Sequence, residues 1–298
     1  MSKRSLAIIG ATFVAMIYGS TFTVAKDVMP TYVQPYGFIV IRAIGGTFLF
    51  WILTFFGPKE KIEKKDFPRI MAAAFFGVAL NQLTFFKGLS FTSPISASVI
   101  MVTAPIIVLI LSAIIIKERI ELKKVFGIII GLTGTAILIL YGKSIGDSSN
   151  AGWGNFLVFI NAFSYAIYLI LIKKLITKYH AFTFIKWIYT FGLLYVLPFG
   201  YFELISINWG VIPTDIYYKI GFVVLFTTFL AYLINLTAMK HLKPTTLSVF
   251  IYLQPLFAAT FAISLGKDEL NLIKIFSAVL IFTGVYLVTH KPKKITEN

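Results

Sequence analysis

The sequence predicts an all-α integral membrane protein: ten transmembrane helices arranged as two inverted five-helix repeats. Three observations carry that prediction. The first is composition. Of 298 residues, 58% are hydrophobic and only 13% charged, and the mean hydropathy is +0.87. The apolar residues fall into runs of about 20, long enough as helices to cross about 30 Å of hydrocarbon. Backbone groups in lipid must bond within the chain, so runs of this kind are helices. A membrane β-barrel would show short alternating segments instead.

The second observation is an internal repeat. The stretch Pro94 to Gly134 returns as Pro244 to Gly284, at a single offset of 150 residues and without a gap. Pro94 falls on Pro244, Ser98 on Ser248, Pro105 on Pro255, Lys117 on Lys267, Phe126 on Phe276, and Thr133-Gly134 on Thr283-Gly284. A period of half the chain means two halves rather than an array, a building plan that recurs in membrane carriers.

The third observation is charge. The formal net charge is +15. In a soluble chain that would suggest nucleic acid; in a membrane protein, cytoplasmic loops are enriched in Lys and Arg, so no nucleic-acid partner is expected. With the N-terminus inside, the inner segments hold Lys3, Arg4, Lys59, Lys61, Lys64, Lys65, Arg69, Lys117, Arg119, Lys123, Lys124, Lys173, Lys174, Lys178, Lys240, Lys243, Lys291, Lys293 and Lys294. The outer segments hold Lys26, Lys87, Lys143, Lys219, Lys267 and Lys274, which makes 19 against 6. That bias places both termini in the cytoplasm.

The spans are expected near Leu6–Ala25, Gly37–Phe56, Ile70–Phe86, Ile95–Ile116 and Val125–Tyr141, then Trp153–Leu171, Phe182–Phe199, Ile220–Met239, Thr245–Leu265 and Leu272–Val288. The first resembles a signal peptide, with Lys3 and Arg4 before an apolar stretch. It reads as a retained helix, because its end, Tyr18 to Lys26, resembles Tyr165 to Lys173 deep inside the chain. Residues 1–142 form the first repeat, 143–152 a Gly/Ser/Asn-rich linker, 153–290 the second repeat, and 291–298 a basic cytoplasmic tail. Five helices is an odd number, so the second repeat enters the membrane upside down. The turn around Lys117 to Lys124 is basic, whereas in its copy Arg119 has become Glu269. Such symmetry permits alternating access around a central site.

Candidate functional residues follow from polarity within the spans. Pro105 and Pro255 fall near the middle of the fourth and ninth helices, where proline removes a donor and kinks the helix. Matched interruptions in two halves point to a midplane site. Ser98, Thr103, Tyr252 and Gln254 lie within two turns of them. Asn81 and Gln82 occupy the third helix, Tyr232 and Asn235 the eighth, Asn161, Tyr165 and Tyr168 the sixth, and Tyr18 the first. Any one of these can serve as helix-to-helix glue; together they suggest a polar, aromatic-lined cavity. Trp187 faces either that cavity or lipid. The expected substrate set is Gln82, Ser98, Thr103, Tyr165, Trp187, Tyr232, Tyr252 and Gln254, with Pro105, Pro255, Gly134 and Gly284 as conformational elements. Arg42 is an intramembrane charge, either functional or snorkelling to the outer interface.

The twelve acidic residues map to loops and helix ends. A buried carboxylate proton relay is therefore not expected, nor a counter-ion for a cationic drug. Glu118 and Asp268 are expected to pair locally with Lys117 and Lys267. The three histidines lie in loops or at a helix end, there is no cysteine, and no HExxH, P-loop or GxGxxG motif is present. No enzyme, metal or cofactor is predicted.

At these residues the chain resembles the drug/metabolite transporter superfamily, in particular its ten-helix EamA branch. The matching pieces are Tyr18-Gly19-Ser20-Thr21-Phe22, Arg42, Gly88-Leu89-Ser90-Phe91-Thr92-Ser93-Pro94, Ala104-Pro105, Lys117-Glu118-Arg119 and the run Gly127 to Gly134. Tyr18 stands where that family often has Trp, and Lys267-Asp268-Glu269 is a degenerate copy of the first turn. The resemblance implies an inner-membrane, multi-pass carrier of amino acids, nucleobases, sugars or similar metabolites, often an exporter, with its cavity between the halves; it implies the class and not the cargo. The expected function is secondary transport, as export, of a small neutral or zwitterionic solute such as an amino acid, by a monomer or weak homodimer. A multidrug efflux carrier and a non-transporting membrane scaffold are the alternatives.

Overall fold

A computed structural model describes residues 1–92, 97, 100–140, 151–264 and 271–290. Ser98, Pro94, Lys267 and Asp268 lie outside the described residues. Among those described there is no strand. The helices are α1 (Lys3–Val28), α2 (Pro35–Leu53), α3 (Phe67–Ala74), α4 (Leu80–Phe91), α5 (Ala104–Ile115), α6 (Leu122–Leu140) and α7 (Ala151–Ile176). They continue as α8 (Ala181–Ile205), α9 (Thr214–Phe222), α10 (Ala231–Met239), α11 (Pro244–Ser248), α12 (Leu253–Ser264) and α13 (Leu272–Thr289). Two π turns, Phe75–Ala79 and Val223–Leu230, join α3 to α4 and α9 to α10 into continuous rods. Counting those rods whole, seven helices among the described residues are long and apolar enough to cross a membrane, and Ala104–Ile115 is a shorter apolar one. Their outward faces carry Phe48, Ile114, Phe126, Phe202 and Phe276, all exposed, as expected where the surrounding solvent is lipid.

The packing is two-fold. Rod α3–α4 packs along α7, and rod α9–α10 packs along α1; α12 packs on α1, and α5 packs on α7. The second helix of each half, α2 and α8, pairs with its counterpart, and so does the last, α6 with α13. Both of those pairs are antiparallel. Along α6 from Gly127 to Gly134 the neighbours in α13 run backwards, from Val288 and Gly284 to Leu280 and Ser277. Equivalent helices that run in opposite directions mean halves of opposite direction. The α6–α13 crossing depends on missing side chains. A Cβ on Gly284 would lie 2.6 Å from the Gly127 carbonyl oxygen and 2.6 Å from the Gly131 nitrogen. Small residues let backbones approach closely where hydrocarbon supplies no hydrophobic drive between helices.

The α2–α8 pair is fastened at both ends by carboxylates. The Tyr36 and Gly37 N–H groups donate to Glu203 Oε2 at 2.7 and 2.8 Å. At the other end, the His180 N–H and the Thr183 hydroxyl both donate to Glu60 Oε2 at 2.8 Å. Each acid lies beyond or near the end of one helix and satisfies the orphan donors opening the other, where the helix dipole also favours negative charge. Burial raises the Glu60 carboxyl, but the His180 and Thr183 hydrogen bonds outweigh it and hold it below its ordinary value.

Glu118 differs from its sequence expectation. It does not pair with Lys117, which occupies a left-handed turn at φ 52°. Its buried side chain accepts from Lys124 Nζ at 2.8 Å and from the Thr245 hydroxyl at 2.6 Å. Thr245 opens α11 in the other half, so this acid joins the halves rather than closing a local turn. At the same end, Lys173 Nζ donates to the Met239 and Leu242 carbonyls. The Arg4 guanidinium donates to the Thr289 carbonyl at 2.6 Å, which puts both ends of the described chain on one side of the bundle.

Two outcomes follow from this packing. Gly284→Leu forces two backbones apart and should lower stability by about 1–3 kcal/mol, whereas Gly221→Leu, with nothing within 4 Å of its Cβ, should stay within about 0.5 kcal/mol; thermal unfolding in micelles compares them. Glu118→Ala strands Lys124 in a buried site and should cost about 3–5 kcal/mol, while Glu121→Ala, an exposed partner of the same lysine, should cost under about 1 kcal/mol by the same measurement.

Candidate functional site

The cavity lies where the two halves meet and encloses about 110 Å³. On this measure one water needs about 10–15 Å³, so there is room for a small solute. Its walls come from α1, α2, α4, α7 and the α9–α10 rod, with Met101, Ile251 and Gln254 from segments preceding or opening α5 and α12. The polar lining is Tyr18, Thr21, Asn81, Gln82, Asn161, Tyr165, Tyr168, Thr227, Tyr232, Asn235 and Gln254. Phe22, Phe85, Phe86, Leu169 and Ile172 also line it, and Arg42 is its one charged side chain among the described residues.

The π turns position this lining. A π turn leaves one backbone carbonyl without its usual helical partner, and side chains take up the slack. The Ser164 hydroxyl donates to the Phe76 carbonyl at 2.6 Å, and the Tyr232 hydroxyl to the Gly77 carbonyl at 2.8 Å. Gln82 and Tyr232 stand at the same place in the two repeats, 150 residues apart, and meet, Gln82 Nε2 donating to the Tyr232 oxygen at 3.4 Å. The pseudo-axis therefore runs through the cavity wall. Because the Tyr232 proton is committed to Gly77, Gln82 must present its N–H side to that oxygen, which leaves Oε1 over. Asn81 and Asn161 bind each other's backbone carbonyls reciprocally, at 3.3 and 2.7 Å. Only Nδ2 can donate there, so Asn161 Oδ1 is likewise left over. Gln82 Oε1 and Asn161 Oδ1 are both buried and without a hydrogen-bond partner.

Arg42 is only 3% exposed. It stands two turns into α2, about 10 Å from the helix start, and does not snorkel. Its Nε donates to the Thr228 hydroxyl at 2.9 Å, within the second π turn. Its guanidinium carbon lies 4.4 Å from the centre of the Phe86 ring, a distance suited to a cation–π contact. Its Nη1 has no partner. Nearby, the Thr21 and Thr227 hydroxyls bond at 2.7 Å and tie α1 to the same π turn.

Of the residues expected to contact substrate, the structure brings together Gln82, Tyr165, Tyr232 and Gln254 in the lining. Ser98 is not described. Thr103, Tyr252 and Trp187 are not in the lining. The Thr103 hydroxyl turns back onto the Ile100 carbonyl at 2.7 Å. Tyr252 is fully buried with its ring against Gly131 of α6. Trp187 stacks on Phe191 and meets Trp51 and Phe67 edge-on, beside Lys186, whose ammonium lies 4.5 Å from the Trp51 ring centre.

Pro105 and Pro255 do not kink a continuous helix. Each falls in the first turn of a helix that restarts after a break: a turn at residues 102–103 before α5, and the 3-10 turn Val249–Tyr252 before α12. First-turn proline loses no helical hydrogen bond. The break matters because it places Met101, Ile251 and Gln254 on the cavity. Gly19 of α1 backs this position; a Cβ there would be 2.7 Å from the Gln254 carbonyl oxygen. Gly134 and Gly284 lie in the α6–α13 crossing, outside the lining. Thr227 and Phe86 were not among the residues the sequence singled out, and no spacing marks them; Thr21 entered only within the Tyr18-to-Phe22 match. The π turns that aim Thr227 and Thr228 leave no sequence signature.

A many-helix membrane protein whose opposed halves frame a solute-sized cavity with polar groups set among apolar walls has the build of a transport protein. The EamA-like transporter family matches residues 5–140 and again 152–290, and the chain belongs to that family. An uncharacterized transporter of Archaeoglobus fulgidus is 29% identical over 92% of this chain and 95% of its own. The uncharacterized transporter YetK of Bacillus subtilis is 24% identical over 78% of this chain and 71% of its own. A solved crystal structure shares the fold with a TM-score of 0.74 over 96% of both chains, at 18% identity.

Removing the Tyr232 hydroxyl tests the role of the π turn. Tyr232→Phe removes the hydroxyl that donates to the Gly77 carbonyl and should cost about 0.5–1.5 kcal/mol; Ser164→Ala should act likewise at the Phe76 carbonyl, both read by thermal unfolding.

Proposed function

We propose that this protein is a secondary transporter that moves a small amino-acid-like solute across the cell's inner membrane by alternating access, in the direction of export. Ten spans in two inverted sets of five, with both termini in the cytoplasm, fit the 150-residue repeat and the loop charges. The observation that carries the reading is the cavity on the pseudo-axis: both halves contribute its walls, so a rocking of one half against the other opens it to alternate sides. Its lining supports a polar cargo with an apolar or aromatic part, held by amides, hydroxyls and tyrosine rings. Among the described residues no carboxylate lines it, which favours facilitated or exchange transport over carboxylate-based proton coupling and disfavours a cationic drug. Among the described residues no group of acids and histidines could hold a metal ion.

Flux of labelled amino acids in proteoliposomes tests this. Gln254→Ala removes a lining side chain that is itself almost fully buried and should reduce flux about tenfold, the factor that roughly 1.4 kcal/mol represents, without lowering the unfolding temperature. Unchanged flux would remove Gln254 from the pathway, and a wild-type protein that moves no solute across a broad panel would refute the assignment.

A further inference from the structure

We infer that the transported solute carries a carboxylate, and that Arg42 Nη1 receives it while Gln82 Oε1 and Asn161 Oδ1 accept from a donor group on the same molecule. The inference rests on the reading of the cavity as the solute site and goes further, to the chemical class of the solute.

The argument begins with how this chain treats its other buried charges. Lys124, also buried, has Glu118 at 2.8 Å. Asp66 has Lys178 and Tyr179. Where a buried charge belongs to the scaffold, the sequence supplies its counter-ion. Arg42 is buried at least as deeply, yet among the described residues no acidic side chain lines the cavity beside it. Its partners are a hydroxyl and a ring face, neither of which neutralises a positive charge. An uncompensated buried charge is expensive, and such a residue in a spanning helix faces a cavity or a pathway. A guanidinium N–H left without a partner, on a residue that lines the cavity, is a site for an anion, and its planar donors suit a carboxylate.

The two orphaned acceptors refine the class. Gln82 Oε1 and Asn161 Oδ1 are fixed in orientation by the bonds their N–H groups make, so neither can turn to offer a donor. They await N–H or O–H donors. A cavity with one cationic donor, two neutral acceptors and aromatic walls matches a small acid with an amino or hydroxyl group and an apolar body. A neutral sugar or nucleobase would leave the guanidinium unmatched, and an amine lacking a carboxylate would meet like charge.

The test uses purified full-length protein and matched probe pairs: α-amino acids and 2-hydroxy acids, each against its own carboxamide. The hydroxy-acid pairs separate loss of the carboxylate from gain of positive charge. Binding is read by thermal shift and movement by flux in proteoliposomes. Wild type should prefer acid over amide by roughly 30-fold, the ratio that about 2 kcal/mol represents. Arg42→Gln should bring that ratio close to one while retaining weak binding of the amide, and Arg42→Lys should restore part of it. A merely structural arginine would change affinity for both probes alike, so an unchanged acid-over-amide ratio in Arg42→Gln overturns the inference. If that variant does not fold, the wild-type ratio and Gln82→Leu, expected to weaken the amino and hydroxy acids but not the corresponding unsubstituted acids, decide it. Amides carried as well as acids, or chloride stabilising the protein as strongly as any carboxylate, would also overturn it while leaving the transport reading intact. No movement of either probe class would refute both.

Discussion

In a hydrocarbon solvent a polar group has no water to fall back on, and that constraint shapes this protein more than any single contact. Threonine and serine hydroxyls bond to carbonyls one turn earlier along their own helices, as Thr12, Thr84, Thr135 and Thr289 do. Carboxylates are kept to the helix ends, where Glu60 and Glu203 meet unpaired N–H groups. In the first π turn Ser164 and Tyr232 bond to the Phe76 and Gly77 carbonyls, and in the second the Tyr189 hydroxyl reaches the Thr228 carbonyl at 3.5 Å. Against that background the leftover atoms Arg42 Nη1, Gln82 Oε1 and Asn161 Oδ1 stand out, because all three belong to residues that line one cavity.

The fold and the site share a cause. A duplicated unit with opposite directions brings its equivalent helices together as antiparallel pairs, and those pairs leave a space where the first, third, sixth and eighth apolar stretches face one another. Interruptions near Pro105 and Pro255 turn local backbone inward to the same space. The polar residues that line it come from separate helices in both halves, so neither half has a site alone.

Much of this was legible in the sequence. Apolar run length reveals helices because only helices satisfy backbone in lipid, and the 150-residue offset reveals the two halves because equivalent positions retain Pro, Gly and Lys. Mid-helix Asn, Gln and Tyr pointed to a lined cavity, since polar groups there need either a partner or a pathway. What was not legible depended on rotation about a helix axis. Thr103, Tyr252 and Trp187 are polar or amphipathic at suitable depths, but their faces turn to other helices. Trp187 joins an aromatic cluster, and Tyr252 fills the space opposite Gly131. The π turns were invisible because they arise from how rods pack, and they shift the register of everything that follows. Arg42 was ambiguous for the same reason: helical depth allows an arginine to reach the interface, and only Thr228 and Phe86 fix it inward. The partner of Glu118 was hidden by distance along the chain, Thr245 being 127 residues away.

The two carboxylate caps on the α2–α8 pair have a kinematic consequence. A pair of rods tied at both extremities cannot splay at either end without exposing helix-opening N–H groups to hydrocarbon or headgroups. Those two helices, one from each half, are thereby held together at both ends. A rocking of the halves of the proposed kind would turn about the α2–α8 contact rather than part it.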